Sequence, residues 1–253
     1  MLEEVRRIVA EAGRIAAARC GTDYRRWEKV PGHPVCDVDL EVDAFLREQL
    51  RTLDPEAGWL SEETVDASDR YERRRAWVVD PIDGTRDYLR GRPGWCVSAA
   101  LVEDRVPVLG VLAAPMRDEL WSGQRGEGAW RNGARLRVSG RCVFAGARVP
   151  ADALPPADAD LAAVAKPNSI ALRIAMVAAG EADLVATLRW GFEWDIAAAA
   201  LLAEEAGATV TGALGQPLAF NTASGEAFGV LVATPEIHAA AVERLRGRAL
   251  EVV

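Results

Sequence analysis

Two carboxylates three residues apart, Asp80 and Asp83, follow the apolar run Trp77-Val78-Val79 and precede Gly84-Thr85. The apolar residues read as a strand that delivers Asp80 at its end. Pro81 stops the ladder, and Asp83-Gly84-Thr85 turns the chain into a helical-looking segment over 86–89. Close like charges are unfavourable at low dielectric unless a cation neutralises them, so such a pair suits a divalent metal. Gly84 lets the backbone approach a ligand, and N–H groups at a helix start favour phosphate. A polar turn in which Asp83 or Thr85 only caps the helix would use the same residues.

Other acidic points are weaker when taken singly. Glu62-Glu63, within Leu60–Thr64, reads as a solvated surface pair. Asp195, in Phe192-Glu193-Trp194-Asp195, opens an alanine-rich helix and makes a good N-cap, and Asp37 and Asp39 stand where they could cap the helix carrying Val42, Phe45 and Leu46. Composition narrows the chemistry further. Two histidines, His33 and His238, are too few for most zinc sites or histidine-based catalysis, and the four cysteines form no CxxC pair. Catalysis would then fall to carboxylates, hydroxyls and ions that prefer oxygen: Mg²⁺, Mn²⁺ or Ca²⁺.

The 38 acidic and 30 basic side chains leave a net charge of −8, without the positive field that a nucleic-acid polymer requires of its partner. No run of about 18 apolar residues occurs, and the N-terminus is charged and amphipathic, so no membrane association is expected and a cytoplasmic location is.

The elements that must position these acids follow from periodicity. Apolar residues at helical spacing predict helices over 5–16 and 42–53, and short apolar runs predict a mainly antiparallel sheet with a hairpin around Glu103-Asp104-Arg105 and a tight turn at Asn132-Gly133. Beyond the Ala/Pro/Asp-rich stretch 150–160, helical and extended segments alternate. With 50% apolar residues in 253, the chain reads as two packed halves: an α+β half, 1–140, with the acidic motif, and an α/β half, 141–253, with elements for substrate recognition.

Glu62-Glu63, then Asp-Pro-Ile-Asp-Gly-Thr at a strand end, then a distant Trp194-Asp195 opening a helix resembles the inositol monophosphatase superfamily of Mg²⁺-dependent, lithium-sensitive phosphatases. Gly110-Val111, Asp118-Glu119-Leu120, Gly126-Glu127-Gly128-Ala129 and Asn132-Gly133 extend the likeness over about 29–233. The resemblance implies an α+β fold, the layered α-β-α-β-α sandwich shared with fructose-1,6-bisphosphatase, and a homodimer with its site between two halves. It implies that Glu62, Asp80 and the Ile82 carbonyl hold one metal ion and that Asp80, Asp83 and Asp195 hold a second. It further implies that Thr85, paired with Asp39 placed just before a helix, positions the attacking water. Asp37 competes with Asp39 for that role. Asp83, Gly84, Thr85, Ser169 and Asp195 would bind the substrate phosphate.

Two departures lie in the loop 29–39, where His33 and Cys36 replace the Asp and the Thr or Ser common in relatives; a third, weaker metal site is in question there. Lys29 could reach phosphate. In the second half, Leu188-Arg189 stands where an inositol-binding carboxylate is expected, and Glu193 is a candidate replacement. Lys166, Ser169, Arg173 and Arg189 could instead read a second anionic group, as in the bacterial 3′(2′),5′-bisphosphate nucleotidase branch. Histidinol phosphate and fructose 1,6-bisphosphate remain alternative substrates, and a catalytically inactive phosphate-binding protein is the non-enzymatic alternative.

Overall fold

A computed structural model describes residues 1–28, 34–66 and 69–252. The amphipathic segments form α1 (Leu2–Arg19) and α2 (Asp37–Leu53), which bury Val5, Val9 and Ala12 and Val42, Leu46 and Leu50 respectively. Seven strands follow: β1 (Gly58–Ser61), β2 (Arg75–Asp83), β3 (Cys96–Glu103), β4 (Val106–Ala114), β5 (Glu119–Gln124), β6 (Gly128–Arg131) and β7 (Ala134–Arg135). They lie in one sheet in chain order, with β1 parallel to β2 and every later pair antiparallel. The predicted tight turns are present, with positive φ at Asp104, Arg105, Asn132 and Gly133.

Both faces of this sheet are buried, which the two-residue side-chain period makes visible. Trp77, Val79, Ala99, Leu101 and Val111 pack with α1 and α2, whereas Val78, Ala100, Val102 and Leu112 pack on the opposite side. There they meet α3 (Ile170–Ala178) and α4 (Ala197–Glu205). A Cβ on Gly110 would lie 2.8 Å from the Ala198 carbonyl oxygen, so glycine is what lets α4 seat directly on β4.

Beyond these helices lies a second sheet of β8 (Leu184–Phe192), β9 (Thr209–Thr211) and β10 (Glu226–Ala233), with β10 in the middle. Val230 and Val232 face α3 and α4, while Leu231 and Ala233 face α5 (Pro235–Leu250). The layers therefore run α-β-α-β-α. Burial of residues such as Leu46 or Leu231 stabilises each contact by about 1.5–3 kcal/mol.

In the second sheet β10 inserts between β8 and β9 and runs antiparallel to both. A short parallel pair, 148–150 with 162–164, stands apart. The helix expected from Asp195 begins later, since a 3-10 turn, Glu193–Asp195, precedes α4.

Candidate active site

The site forms where β2 leaves the large sheet. In the β2–β3 register Asp80 pairs with Ser98 and Asp83 with Cys96, so three steps along β2 oppose two along β3. This bulge puts both aspartates on one face, since directly opposed residues share a face and Ser98 and Cys96 are two apart. That face is the one Val78 occupies, turned toward the second half. In the neighbouring parallel pair Ser61 opposes Val79, which brings Glu62 out at the same sheet edge as Asp80. From the other half, the 3-10 turn carries Asp195 in.

Oxygen atoms of Asp80, Asp83 and Asp195 lie within 4.8 Å of one another. Asp80 is 1% exposed, Asp83 7%, and Asp195 is half-buried. Among the described residues none of the three has a salt-bridge partner. Burial pushes the Asp80 carboxyl well above the usual range, and the charges of Glu62, Asp83 and Asp195 push it further. Asp195 is raised well above its ordinary value by burial and then by Asp83 and Glu62. Asp83 is raised to about 6 by burial, opposed by hydrogen bonds from Ser169 and the Ala171 N–H. Three hard oxygen donors crowded together, with Arg173 and Arg189 acting on them only from beyond salt-bridge distance, fit a divalent ion of the Mg²⁺ or Mn²⁺ type. Glu62 stands outside this trio and adjoins Asp80.

The supporting bonds clarify several expected roles. Asp80 Oδ1 accepts from the Ile82 N–H at 2.9 Å, and the Thr85 hydroxyl donates to the Ile82 carbonyl at 3.0 Å. Asp39 sits in the first turn of α2 instead of before it, and its Oδ2 accepts from the Cys36 N–H and thiol, each at 2.9 Å. Asp37 accepts from the Arg25 N–H at 3.4 Å and lies 3.8 Å from Arg19. The Cys36 thiol is pushed up to about 12, by burial first and then by Asp39. Lys29 and His33 lie outside the described residues.

Ser169, expected on the substrate, is fully buried and donates to Asp83 Oδ2, which also accepts from the Ala171 N–H at 2.8 Å. Asp83 therefore caps α3 from the end of β2. A Cβ on Gly84 would stand 2.8 Å from the Gly94 carbonyl and 3.0 Å from Ser169 N, and Gly84 has φ +94°, so glycine is required where these backbones cross. Asp195 makes no cap to α4, which leaves its carboxylate for the cluster.

Three proposed specificity residues are engaged elsewhere. Glu193, wholly buried, accepts from the N–H groups of Asn221 and Thr222 and from the Thr222 hydroxyl, so it holds the 221–225 loop rather than a substrate hydroxyl. Arg173 donates to the Pro167 and Asn168 carbonyls at 2.8 and 2.6 Å, and Lys166 pairs with Asp152 at 2.6 Å. Arg189 is exposed and lines a cleft with Ile170, Thr187, Phe192, Asp195 and Val230.

Arg70 was missed by sequence reasoning. Buried to 1% exposure, it forks onto Asp66 and donates to Asn221 Oδ1 and the Thr222 carbonyl, both at 2.9 Å. It joins the segment after Glu62 to the loop that Glu193 secures two residues before Asp195. A basic residue in a run of charges, Arg70-Tyr-Glu-Arg-Arg-Arg, carries no local sign of this.

A cluster of three carboxylates, two of them buried, fits the class of metal-dependent enzymes. The sequence profile of the inositol monophosphatase family matches residues 1–250, and the chain belongs to that family, whose enzymes are metal-dependent phosphoric monoester hydrolases. It is 37% identical over 189 residues to the Nus factor SuhB of Xylella fastidiosa, spanning 69% of this chain and 67% of that protein. It is 30% identical over 240 residues to the 3′(2′),5′-bisphosphate nucleotidase CysQ of Aggregatibacter actinomycetemcomitans, 87% of each. The solved IMPase of Thermotoga maritima superposes with a TM-score of 0.84 at 26% identity, over 99% of this chain and 98% of the other.

Proposed function

We propose that this enzyme releases inorganic phosphate from a small phosphorylated polyol or nucleotide, with Mg²⁺ as its ion and Mn²⁺ as a substitute. The observation that carries the reading is the trio Asp80, Asp83 and Asp195, with oxygens within 4.8 Å of one another and, among the described residues, no salt-bridge partner. Asp80, Asp83 and Asp195 would hold one ion, and Glu62, Asp80 and the Ile82 carbonyl another. When bound, such ions neutralise a phosphate dianion, lower the pKa of a coordinated water and stabilise a leaving alkoxide.

The residues of the chain do the rest. Because the Thr85 proton is committed to the Ile82 carbonyl, its oxygen offers lone pairs that orient a water toward phosphorus. Asp39, whose charge is among those acting on Asp80, would help Thr85 to position that water. Backbone N–H groups at Gly84 and Thr85 steady the phosphate. The half 1–140 would supply most of the chemistry and 141–253 the substrate contacts, in a lithium-sensitive, cytoplasmic homodimer.

Arg189 favours a second reading within this class. It is the one candidate specificity residue that lines the cleft beside Asp195, and the likeness to CysQ extends over most of both chains. A substrate with a second anionic group, such as a nucleoside bisphosphate, would engage it. Phosphate release should be measured with inositol 1-phosphate, 3′-phosphoadenosine 5′-phosphate, fructose 1,6-bisphosphate and histidinol phosphate, with Mg²⁺ and with chelator. Mg²⁺-dependent release from at least one is expected; release from none, or release unaffected by chelation, would overturn the reading.

A further inference from the structure

We propose that Asp43 is a positioning residue for Glu62, holding from α2 the segment that presents this carboxylate beside Asp80. The inference rests on the reading of Glu62 as a metal-holding residue. Asp43 is an acid in the middle of a helix and only 7% exposed, a placement that needs compensating donors. It has two. Oδ1 accepts a short bond from the Ser61 hydroxyl, and Oδ2 accepts from the Thr64 hydroxyl at 2.6 Å. These are the residue immediately before Glu62 and the residue two after it, so one carboxylate pins both ends of the Glu62-Glu63 turn.

The surrounding bonds tighten the same turn. Trp59 Nε1 approaches the Thr64 hydroxyl at 3.4 Å, the Glu63 N–H reaches Ser61 Oγ at 3.4 Å, and the Glu62 N–H reaches the Val79 carbonyl at 3.4 Å, next to Asp80. Asp43 also lies one helical turn after Asp39, on the same face of α2. A single rigid helix thereby sets the positions of Asp39 directly and of Glu62 through two hydroxyls. Residues that orient ligands in this way typically govern metal affinity by about 10–100-fold when removed.

The test uses the metal-free protein and Mn²⁺, followed by electron paramagnetic resonance, with thermal unfolding recorded alongside. Asp43→Ala should weaken Mn²⁺ binding by about 10-fold or more. Asp43→Asn should largely restore it, because an amide can still meet both hydroxyls, which donate or accept. Glu62→Gln should weaken binding too, and adding Asp43→Ala to it should weaken binding little further. Should Asp43→Ala not fold, Ser61→Ala combined with Thr64→Val removes the same two bonds and should reproduce the loss. Mn²⁺ binding within twofold of the unmodified protein in Asp43→Ala, or in the double variant, while Glu62→Gln is impaired, would overturn the positioning role and leave the metal reading intact. Unimpaired binding in Glu62→Gln would instead remove the reading on which the inference stands.

Discussion

Asp183, just ahead of β8, accepts four hydrogen bonds, three of them from Arg148 through its backbone N–H, Nε and a terminal guanidinium nitrogen and the fourth from the Ser139 hydroxyl. These donors hold its carboxyl down at about 2 despite burial. Asp80, Asp83 and Asp195 also accept hydrogen bonds, but none has a salt bridge among the described residues, and burial with their mutual repulsion raises their carboxyls. The difference teaches where the molecule is built for stability and where for chemistry. Asp183 is supplied with its countercharge by the chain, whereas the cluster leaves that place for an ion.

The largest effect that could break this contrast is on activity. Asp80→Asn and Asp195→Asn should each reduce Mg²⁺-dependent phosphate release by more than the about 10–100-fold typical of residues that merely orient ligands. The same changes should leave the metal-free protein as stable as before or more stable, since each removes a repelling charge. Asp183→Ala should do the reverse, lowering stability in denaturant titrations by about 1.5–3 kcal/mol with turnover unaffected. Near-full activity in either cluster variant would dissolve the distinction.

Thr85→Ala comes next. Loss of the hydroxyl that orients water should lower turnover by about 10²–10⁴-fold, with little change in Mn²⁺ affinity. A matching fall in metal binding would move Thr85 into the ligand set.

How much of this arrangement was legible in sequence depends on the range of the interactions involved. The strand that carries Asp80 and the Gly84 turn are local, and so was the pairing of Asp80 with Asp83; the stop expected at Pro81 does not occur, since β2 bulges there and runs on to Asp83, which pairs with Cys96. The bulge that turns both to one face is a property of register against Ser98 and Cys96, which no local pattern discloses. Ser169 and Glu193 were correctly drawn to the site's neighbourhood, but their roles were set by partners 86 and 28 or 29 residues away. Arg70 reaches 151 residues along the chain to Asn221. Lys166 and Arg173 looked available because Asp152 and the 167–168 carbonyls are acceptors only in three dimensions.

A smaller effect should appear in the pH dependence of stability. The raised carboxyl of Asp83 places no burden on the fold below about pH 4 and destabilises the metal-free protein progressively as pH rises through about 6. The lowered carboxyl of Asp183 works oppositely, stabilising above about pH 4 and losing that contribution as pH falls toward 2. Thermal unfolding of the metal-free protein from pH 4 to 7 should therefore show a decline that Asp83→Asn reduces and Asp183→Asn does not.

The smallest expected effect concerns substrate choice. Arg189→Glu should reduce kcat/KM for a bisphosphorylated nucleotide by roughly 10- to 150-fold, the value of one charge-assisted contact, and leave simple monophosphates nearly unchanged. Added salt should erode the preference of the unmodified enzyme, because the side chain is exposed. Equal losses on every substrate would place Arg189 in the support of Asp195 instead of substrate recognition.

The central claim, that the cluster is completed by a divalent ion, is tested most directly by titrating Mg²⁺ into the metal-free protein at pH 7.5 and following the unfolding temperature of the unmodified chain and of Asp80→Asn. The account predicts a saturable rise in the unmodified chain and none in the variant, because only the intact trio gains from the ion's charge. An equal rise in both proteins, or no rise in the unmodified one at concentrations that support phosphate release, would contradict it.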